Sequence, residues 1–259
     1  MDHTYWHKQT TDQPLFPDLL WSRPENRANA GKLGIIGGNA HGFSAPAEAF
    51  TFATDAGVGT ARVLLPDSLK STVGKVFDAG EYAPSTPSGS FSQKSLLEFL
   101  ELSSWANGML LAGDFGQNSE TAIVLESFLA KFSSQVTLTG DAINYFVNQP
   151  QKLLSRPETL LVLDLPQLQK LAISSKFPQA FTSIMNLLRL VEVLHNFTLA
   201  FKPSIIVRHQ DTVFIAVNGQ VSTTKSNFKP HQIAPYASVF WLQNPTLPFE
   251  ALSSSIIKH

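Results

Sequence analysis

The sequence predicts an α/β fold: a doubly wound, three-layer α/β/α arrangement with a mostly parallel sheet and an antiparallel edge hairpin near the C-terminus. Two observations predict this class. Short apolar runs alternate with helical patterns over most of the chain, which is typical of a parallel sheet covered by helices on both faces. Near the C-terminus, two β-rich runs flank Asn218-Gly219, a pair that favours a hairpin turn.

The predicted elements alternate from residue 31 onward. Strands are predicted at 32–37, 60–66, 108–113, 135–140 and 159–164, and then at 204–208, 212–217 and 220–224. Helices are predicted at 44–58, 92–106, 118–132, 181–201, 233–244 and 248–258. Ser44 is predicted to be the N-cap of the first helix, because a serine hydroxyl commonly accepts a hydrogen bond from a helix N-terminus.

The chain is predicted to form one domain with a short lead-in. Residues 1–30 contain Pro14, Pro17 and Pro24 and little periodicity, which predicts an N-terminal arm. Residues 31–259 are predicted to form a single α/β domain, since a chain of 259 residues can bury one large core. The Ser/Pro-rich stretch 83–92 is interpreted as a loop within it.

Composition excludes several classes of function. The chain has no cysteine, so disulfides and thiolate chemistry are excluded, and no histidine–carboxylate cluster has the spacing of metal ligands. The net charge is −1 and no basic run is present, which predicts neither a nucleic-acid nor an acidic-membrane partner. No signal peptide or membrane span is predicted, and the expected location is cytoplasmic.

Three glycine-bearing turns follow predicted strands. They contain Gly37 and Gly38, Gly113 and Gly116, and Gly140 with Asp141. In open α/β sheets, ligands bind at the carboxyl ends of strands, and glycine lets a ligand approach the main chain. The first turn matches neither G-x-G-x-x-G nor the P-loop. A ligand-binding role and a purely structural turn both remain open, and Asp114 and Asp141 are each interpreted first as turn or capping residues.

Read in order, these turns resemble the ADP/ATP-dependent NAD(P)H-hydrate dehydratases of the ribokinase-like superfamily. The stretch "GKLGIIGGNAHGFSAPAEAF" (31–50) resembles the family's GGS…GAP segment, and "LLAGDFGQNSET" resembles PGLG-x-x-x-x-T. "TLTGDAI" resembles a strand ending in DADAL, and "SIIVRHQDTVFIAVNGQV" resembles VLKG-x-x-T-V-I-x-x-x-G. The resemblance covers roughly residues 23 to 257.

The resemblance implies both a reaction and a set of binding residues. The family transfers a nucleotide γ-phosphate to hydrated NADH or NADPH and then eliminates phosphate. ADP or ATP with Mg²⁺ is therefore the implied cofactor, an NAD(P)H-type molecule the implied ligand, and a homo-oligomer the implied assembly. The implied substrate-binding residues are Gly37, Gly38, Asn39, Ser44, Ala45, Gly113, Gly116 and Asp141. The implied nucleotide-binding residues are Arg208, His209 and Thr212.

The sequence departs from the family where the chemistry should occur. The family opens its penultimate helix with a G-[ST]-G-D turn whose Asp takes the substrate proton. An ungapped comparison places "KPHQ" (229–232) there, with Gln232 at the Asp position and His231 beside it. Glutamine cannot accept a proton, and Pro230 lacks an N–H that could bind phosphate. No catalytic residue of this turn is intact.

Four hypotheses for the function remain. The first is a catalytically impaired dehydratase-like protein that retains nucleotide or dinucleotide binding. The second is an active dehydratase with a rearranged site, in which His231 or Asp141 acts as the base. The third is a non-enzymatic scaffold or partner-binding protein. A fourth, a different small-molecule kinase of the superfamily, is opposed by the same missing turn.

Overall fold

The strands form one continuous sheet. A computed structural model describes residues 4–24, 26–75 and 77–257. Within them the strands are β1 Trp6–Gln9, β2 Lys32–Gly37, β3 Thr60–Pro66, β4 Gly80–Ala83, β5 Gly108–Gly113, β6 Gln135–Thr139, β7 Thr159–Asp164, β8 Ser204–His209, β9 Thr212–Val217 and β10 Gln220–Lys225. Their order in the sheet is β1-β10-β9-β8-β7-β6-β5-β2-β3-β4.

Helices cover both faces of this sheet. Their bounds are α1 Pro17–Trp21, α2 Ser44–Asp55, α3 Lys70–Val73, α4 Leu96–Trp105, α5 Ser119–Lys131, α6 Gln151–Leu154, α7 Leu165–Ser174, α8 Leu187–Ala200, α9 Pro230–Gln243 and α10 Pro248–Ser255. Among the described residues, none of these helices has the length and apolarity needed to cross a lipid bilayer.

The predicted fold class is confirmed. Neighbouring strands run parallel from β1 to β10 and from β8 through β4, and β9 is antiparallel to both of its neighbours. The hairpin between β9 and β10 turns at Asn218 and Gly219, whose φ angles are 46° and 81°. Two consecutive positive φ angles are the signature of a type I′ hairpin turn, which the sequence pair predicts.

The N-terminal segment contributes a strand to the sheet. β1, which lies inside the segment 1–30 predicted as an arm, pairs parallel with β10 and forms the sheet edge beyond the hairpin. The Gln9 side chain donates hydrogen bonds to Thr224 Oγ1 at 2.9 Å and to the Ser253 carbonyl at 2.8 Å. These contacts tie the segment to the main domain. Residues 1–3 and residue 25 of the predicted arm lie outside the described residues.

Several predicted helix starts differ from the observed ones. Ser44 is the first residue of α2 and not its N-cap; that position belongs to Phe43, which provides no side-chain cap. The helices predicted to start at 92 and 233 begin at Leu96 and Pro230. The helix predicted over 181–201 begins only at Leu187, where Asn186 is the N-cap and accepts a hydrogen bond from the Arg189 main-chain N–H at 2.9 Å.

The two faces of the sheet are filled differently. On one face, α4, α5 and α8 each contribute a completely buried phenylalanine to the core: Phe99, Phe128 and Phe197, respectively. On the other face, α2 and α9 bury alanines against the sheet (Ala49, Ala53, Ala234, Ala237). Small side chains let these two helices lie side by side close to the strands.

Helices α2 and α9 both begin at the carboxyl end of the parallel strands. α2 follows directly from β2, so its N-terminus lies at that end. α9 is fixed against β6 by Ser238, whose hydroxyl oxygen lies within hydrogen-bond distance, 2.8 Å, of both Thr137 Oγ1 and the Ala234 carbonyl oxygen. The fold therefore places two helix N-termini next to the glycine turns that follow β2, β5 and β6.

A buried arginine joins loops at the opposite end of the sheet. The Arg156 guanidinium donates to the carbonyl oxygens of Phe132, Ser134 and Glu158 and to the Thr159 hydroxyl, over 2.6–3.2 Å. It is only 8% exposed, and this burial lowers the pKa of Arg156 to about 10. The side chain thus supplies donors to several main-chain carbonyl groups, of which that of Glu158 also accepts the Val136 N–H at 2.9 Å.

Replacing Arg156 with methionine should strongly destabilise the protein. Arg156→Met keeps an unbranched apolar stem but removes the guanidinium donors from the buried Phe132 carbonyl and from its other acceptors, so we expect a loss of about 3 kcal/mol in the free energy of unfolding. Urea denaturation followed by circular dichroism measures this loss. Arg156→Lys, which retains donors, should lose less, and an unchanged midpoint in Arg156→Met would show that these bonds contribute nothing net.

Candidate functional site

The main chains of β2 and β5 approach closely where both strands end. The Gly38 N–H donates to the Gly113 carbonyl at 3.0 Å, and a Cβ built on Gly37 would lie 2.5 Å from that same oxygen. Gly38 and Gly113 also have φ angles of 93° and 115°, which side chains strongly disfavour. At these positions glycine is therefore required by the turn itself.

Asp114 caps helix α2 from the neighbouring turn. Its Oδ2 accepts hydrogen bonds from the Ala45 main-chain N–H at 2.8 Å and from the Ser44 hydroxyl at 3.2 Å. The Asn39 side chain donates to the Asp114 carbonyl at 2.5 Å and holds this residue at a φ of 58°. The interpretation of Asp114 as a capping residue is correct, although the helix it caps belongs to a different segment of the chain.

Asp141 plays the same role for the turn after β5. Its two carboxylate oxygens accept hydrogen bonds from the main-chain N–H groups of Phe115 at 3.2 Å and Gly116 at 2.9 Å. Burial raises the pKa of Asp141, these two hydrogen bonds lower it, and the nearby negative charge of Asp114 raises it, with a net increase above the ordinary value of 3.8. The two carboxylates are thus close enough to repel each other.

The first turn of α9 carries His231 and Gln232, the residues that the resemblance aligns with a catalytic turn. Gln232 Oε1 accepts a hydrogen bond from the Lys229 main-chain N–H at 2.9 Å, so this side chain caps its own helix. The hydrogen bond runs in one direction only. In a reciprocal capping box the Lys229 side chain would also accept the Gln232 N–H, but a lysine side chain has no acceptor atom. His231 Nε2 lies 3.6 Å from Glu48 Oε2, a contact that joins α9 to α2 when the histidine is protonated.

These elements enclose an open cleft of about 530 Å³. It is lined by Ser44, Ala45, Glu48, Ala112, Gly113, Asp114, Gly140, Asp141, Lys229 and His231. Three of these side chains are carboxylates, whereas lysine and a titratable histidine supply the basic groups. The cleft has the volume of a small-molecule site, and its walls carry charges of both signs.

A second cavity of about 510 Å³ lies beside the first and shares Asp141 with it. Its lining consists of Gly116, Gln117, Asn118, Asp141, Asn144 and Tyr145. The Tyr145 hydroxyl donates to the Gly116 carbonyl at 2.6 Å, and burial raises the pKa of Tyr145. Asp141 therefore forms the wall between two cavities at the carboxyl end of the sheet.

The residues with an implied nucleotide-binding role lie at the end of β8 and the start of β9. Arg208 Nε and His209 Nε2 are both inaccessible to solvent, and neither has a hydrogen-bond partner within the described residues. Thr212 donates to the Asp211 carboxylate at 3.1 Å. Since β6 and β8 are separated by one strand, this group lies about 10 Å along the sheet from β6.

The structure brings together most, but not all, of the predicted site residues. Those that line the first cleft are Ser44, Ala45, Gly113, Asp141 and His231. Gly37, Gly38 and Asn39 support its floor through the turn contacts above, and Gly116 lines the second cavity. Arg208, His209 and Thr212 line neither of them.

Two charged residues of the cleft, Glu48 and Lys229, were not among the predicted site residues, and a third, Asp114, was interpreted only as a turn or capping residue. Glu48 falls in the first turn of the predicted helix 44–58, and Lys229 precedes a proline. No local pattern distinguishes Glu48 or Lys229 from a solvent-exposed charge. Only the packing of α2 beside α9 brings them into one cleft.

The fold defines the class of this chain: it has the ribokinase-like architecture. A ribokinase-like superfamily protein from Enterococcus faecalis superposes with a TM-score of 0.70 at 14% identity over 98% of this chain and 87% of that one. A Streptococcus mutans protein superposes with a TM-score of 0.67 at 12% identity, covering 91% of this chain and 83% of that one.

A structure of known activity shares the same architecture. The ADP/ATP-dependent NAD(P)H-hydrate dehydratase of Bacillus subtilis, co-crystallised with ATP/Mg²⁺ and soaked with CoA, superposes with a TM-score of 0.64 at 12% identity. The match covers 93% of this chain and 84% of that one. No protein-family model matches the sequence, and no curated protein sequence is significantly similar to it. The likeness is therefore one of fold.

The stability contributed by Asp141 should fall as the pH rises. Because the pKa of Asp141 is raised on folding, the folded protein binds this proton more tightly than the unfolded chain. The contribution is complete below about pH 3.8 and is lost as the pH passes through the folded pKa. We expect the unfolding free energy of wild type relative to Asp141→Asn to decrease over that window.

Urea denaturation from about pH 3 to pH 7 measures the difference between the two proteins. Asp12→Asn, which changes an exposed aspartate, serves as the matched control. A wild-type advantage over Asp141→Asn that grows with pH would mean that the hydrogen bonds from Phe115 and Gly116 outweigh burial.

Proposed function

We propose that this chain is a ribokinase-like protein that binds a nucleotide, ADP or ATP with Mg²⁺, and catalyses neither phosphoryl transfer nor dehydration. The observation that carries the proposal is the hydrogen bonding of the Gln232 side chain. Its only acceptor oxygen is engaged by the Lys229 N–H, at the helix start where the family resemblance requires a free carboxylate. A dinucleotide of the NAD(P)H type is the alternative ligand.

The loss of catalysis follows from proton chemistry. Transfer of a phosphoryl group to a hydroxyl needs a base to accept the hydroxyl proton and N–H groups to hold the transferring phosphate. A glutamine amide does not accept a proton. Pro230 at the first position of α9 removes one N–H from the helix start. Neither requirement is met at this turn.

Nucleotide binding is supported by two unpaired donors. Arg208 Nε and His209 Nε2 are buried without partners among the described residues, and a buried donor left unpaired costs roughly 1–3 kcal/mol. A phosphate oxygen would offer an acceptor to Arg208 Nε, and to His209 Nε2 in the tautomer that protonates this nitrogen; arginine suits phosphate because its guanidinium presents a planar fork of donors. We place the nucleotide phosphates beside β8.

The second candidate is an active enzyme that uses a different base. One observation favours it: Asp141 lines the cleft and has a raised pKa, as catalytic carboxyl groups often do. Against it, both oxygens of Asp141 already accept main-chain N–H groups. His231, the other candidate base, lies against Glu48 and is 41% exposed.

The purified protein should not dehydrate hydrated NADH with either ATP or ADP. Gln232→Ala should leave this null result unchanged and reduce stability by about 1 kcal/mol, because it removes the acceptor for the Lys229 N–H. Absorbance of the restored dihydronicotinamide measures turnover. Turnover in the wild type that Gln232→Ala, His231→Ala or Asp141→Asn abolishes would establish the second candidate instead.

Arg208→Met should weaken nucleotide binding about tenfold or more, because it removes a charged phosphate donor. Isothermal titration and thermal shift with ADP and with ATP/Mg²⁺ measure this, since a ligand at 100 times its Kd stabilises by about 2.7 kcal/mol. Arg189→Met is the matched control, because Arg189 is an exposed arginine paired with Glu192 on α8. Wild type that gives no shift with either nucleotide would refute nucleotide binding.

Self-assembly and a cytoplasmic location complete the proposal. The expected self-assembly comes from the resemblance, and the expected location comes from the composition. Light scattering of the purified chain tests self-assembly. A monomer at working concentration would remove oligomerisation from the proposal without affecting nucleotide binding.

A further inference from the structure

The cleft contains main-chain donors of the kind that bind phosphate. Helix α2 is 12 residues long, and its N-terminus offers the N–H groups of Ser44 and Ala45 and the positive end of the helix dipole, since Pro46 has no N–H and the Ala47 N–H donates to the Phe43 carbonyl. The turn 115–116 presents two more N–H groups to the carboxylate of Asp141. Lys229 and His231 stand on the facing wall of the same cleft. Taken alone, this set of donors would suit an anionic group.

Carboxylates of the chain already occupy both sets of donors. Asp114 Oδ2 lies 2.8 Å from the Ala45 nitrogen and also accepts from the Ser44 hydroxyl. Asp141 takes the N–H groups of Phe115 and Gly116. A carboxylate oxygen at hydrogen-bond distance from a helix N-terminus occupies the position that a phosphate oxygen would take.

We propose that Asp114 is an internal anion that fills the α2 N-terminus and excludes phosphate groups from the cleft. The residue is therefore a specificity determinant: it limits the cleft to ligands, or parts of ligands, that bring no phosphate to α2. Asp141 reinforces the exclusion, because its charge lies near that of Asp114 and repels the same ligand. This inference concerns α2 and holds whether or not a nucleotide binds beside β8.

Two substitutions of Asp114 distinguish occupation of the α2 N-terminus by its side-chain oxygen from electrostatic repulsion of phosphate by its charge. Asp114→Gly removes the carboxylate, and glycine fits the φ of 58° at this position without strain. Asp114→Asn removes the charge but keeps an oxygen that can still accept the Ala45 N–H, because asparagine caps helices as well as aspartate does. If occupancy excludes phosphate, only the glycine variant opens the site.

The experiment titrates inorganic phosphate into the full chain and follows the Ala45 amide by ¹H–¹⁵N NMR. Sodium chloride at matched ionic strength is the reference. We expect no phosphate-specific shift in wild type or Asp114→Asn. Asp114→Gly should give a saturable shift, with a Kd at least about tenfold below any wild-type value, the size expected of a charge at a partly buried helix end. The double variant Asp114→Gly/Asp141→Asn should bind phosphate more tightly still.

A matched control opens a different helix N-terminus at the same end of the sheet. Asp164 caps α7 by accepting the Gln167 N–H at 2.8 Å, outside the cleft, so Asp164→Gly should gain no phosphate binding at either helix. An equal gain there would contradict the inference, since any uncapped helix would then suffice.

Three other results would also overturn it. In the first, wild type binds phosphate at Ala45 as tightly as Asp114→Gly does. In the second, Asp114→Gly is folded but its Ala45 amide does not respond to phosphate. In the third, Asp114→Asn responds as strongly as Asp114→Gly. Asp114→Ala provides a second opened variant, so the test does not depend on the folding of a single substitution.

Discussion

The contact between the ends of β2 and β5 determines the rest of the site. The Gly38 N–H donates to the Gly113 carbonyl at 3.0 Å, and no side chain fits between Gly37 and that oxygen. This close approach brings the turn after β5 against the start of α2, so Asp114 reaches the Ala45 N–H. The same turn then presents its next two N–H groups to Asp141. The hydrogen bonds of Asp114 and Asp141 therefore share this one turn.

The polar side chains in and beside the cleft mostly form hydrogen bonds within the chain. Asp114, Asp141 and Gln232 each accept hydrogen bonds from the main chain, and the last two stand at positions where the resemblance implies a ligand-binding and a catalytic group. These bonds satisfy helix and turn N–H groups that would otherwise be unpaired. They also place two like charges close together, which contributes to the raised pKa of Asp141. In contrast, Arg208 Nε and His209 Nε2 have no hydrogen-bond partner among the described residues.

The ribokinase-like architecture is shared with proteins only 12–14% identical to this chain. A fold of this kind supports several activities, because the chemistry depends on side chains at the carboxyl ends of the strands and not on the sheet. The packing of alanine-lined α2 beside α9 keeps the cleft in place. The first turn of α9 differs from what the family resemblance requires, and it is this turn on which the proposed loss of catalysis rests.

The sequence by itself determined the strand–helix alternation, the type I′ hairpin at Asn218 and the glycine turns, because periodicity and backbone φ preferences act over a few neighbouring residues. It also predicted five cleft residues through the resemblance. Only the tertiary structure decided that β1 joins the sheet edge, that Asp114 caps α2 in place of Ser44, and that Glu48 and Lys229 face one cleft. Asp114 and Ala45 are 69 positions apart, so no local pattern encodes their hydrogen bond; it follows from the order of strands in the folded sheet.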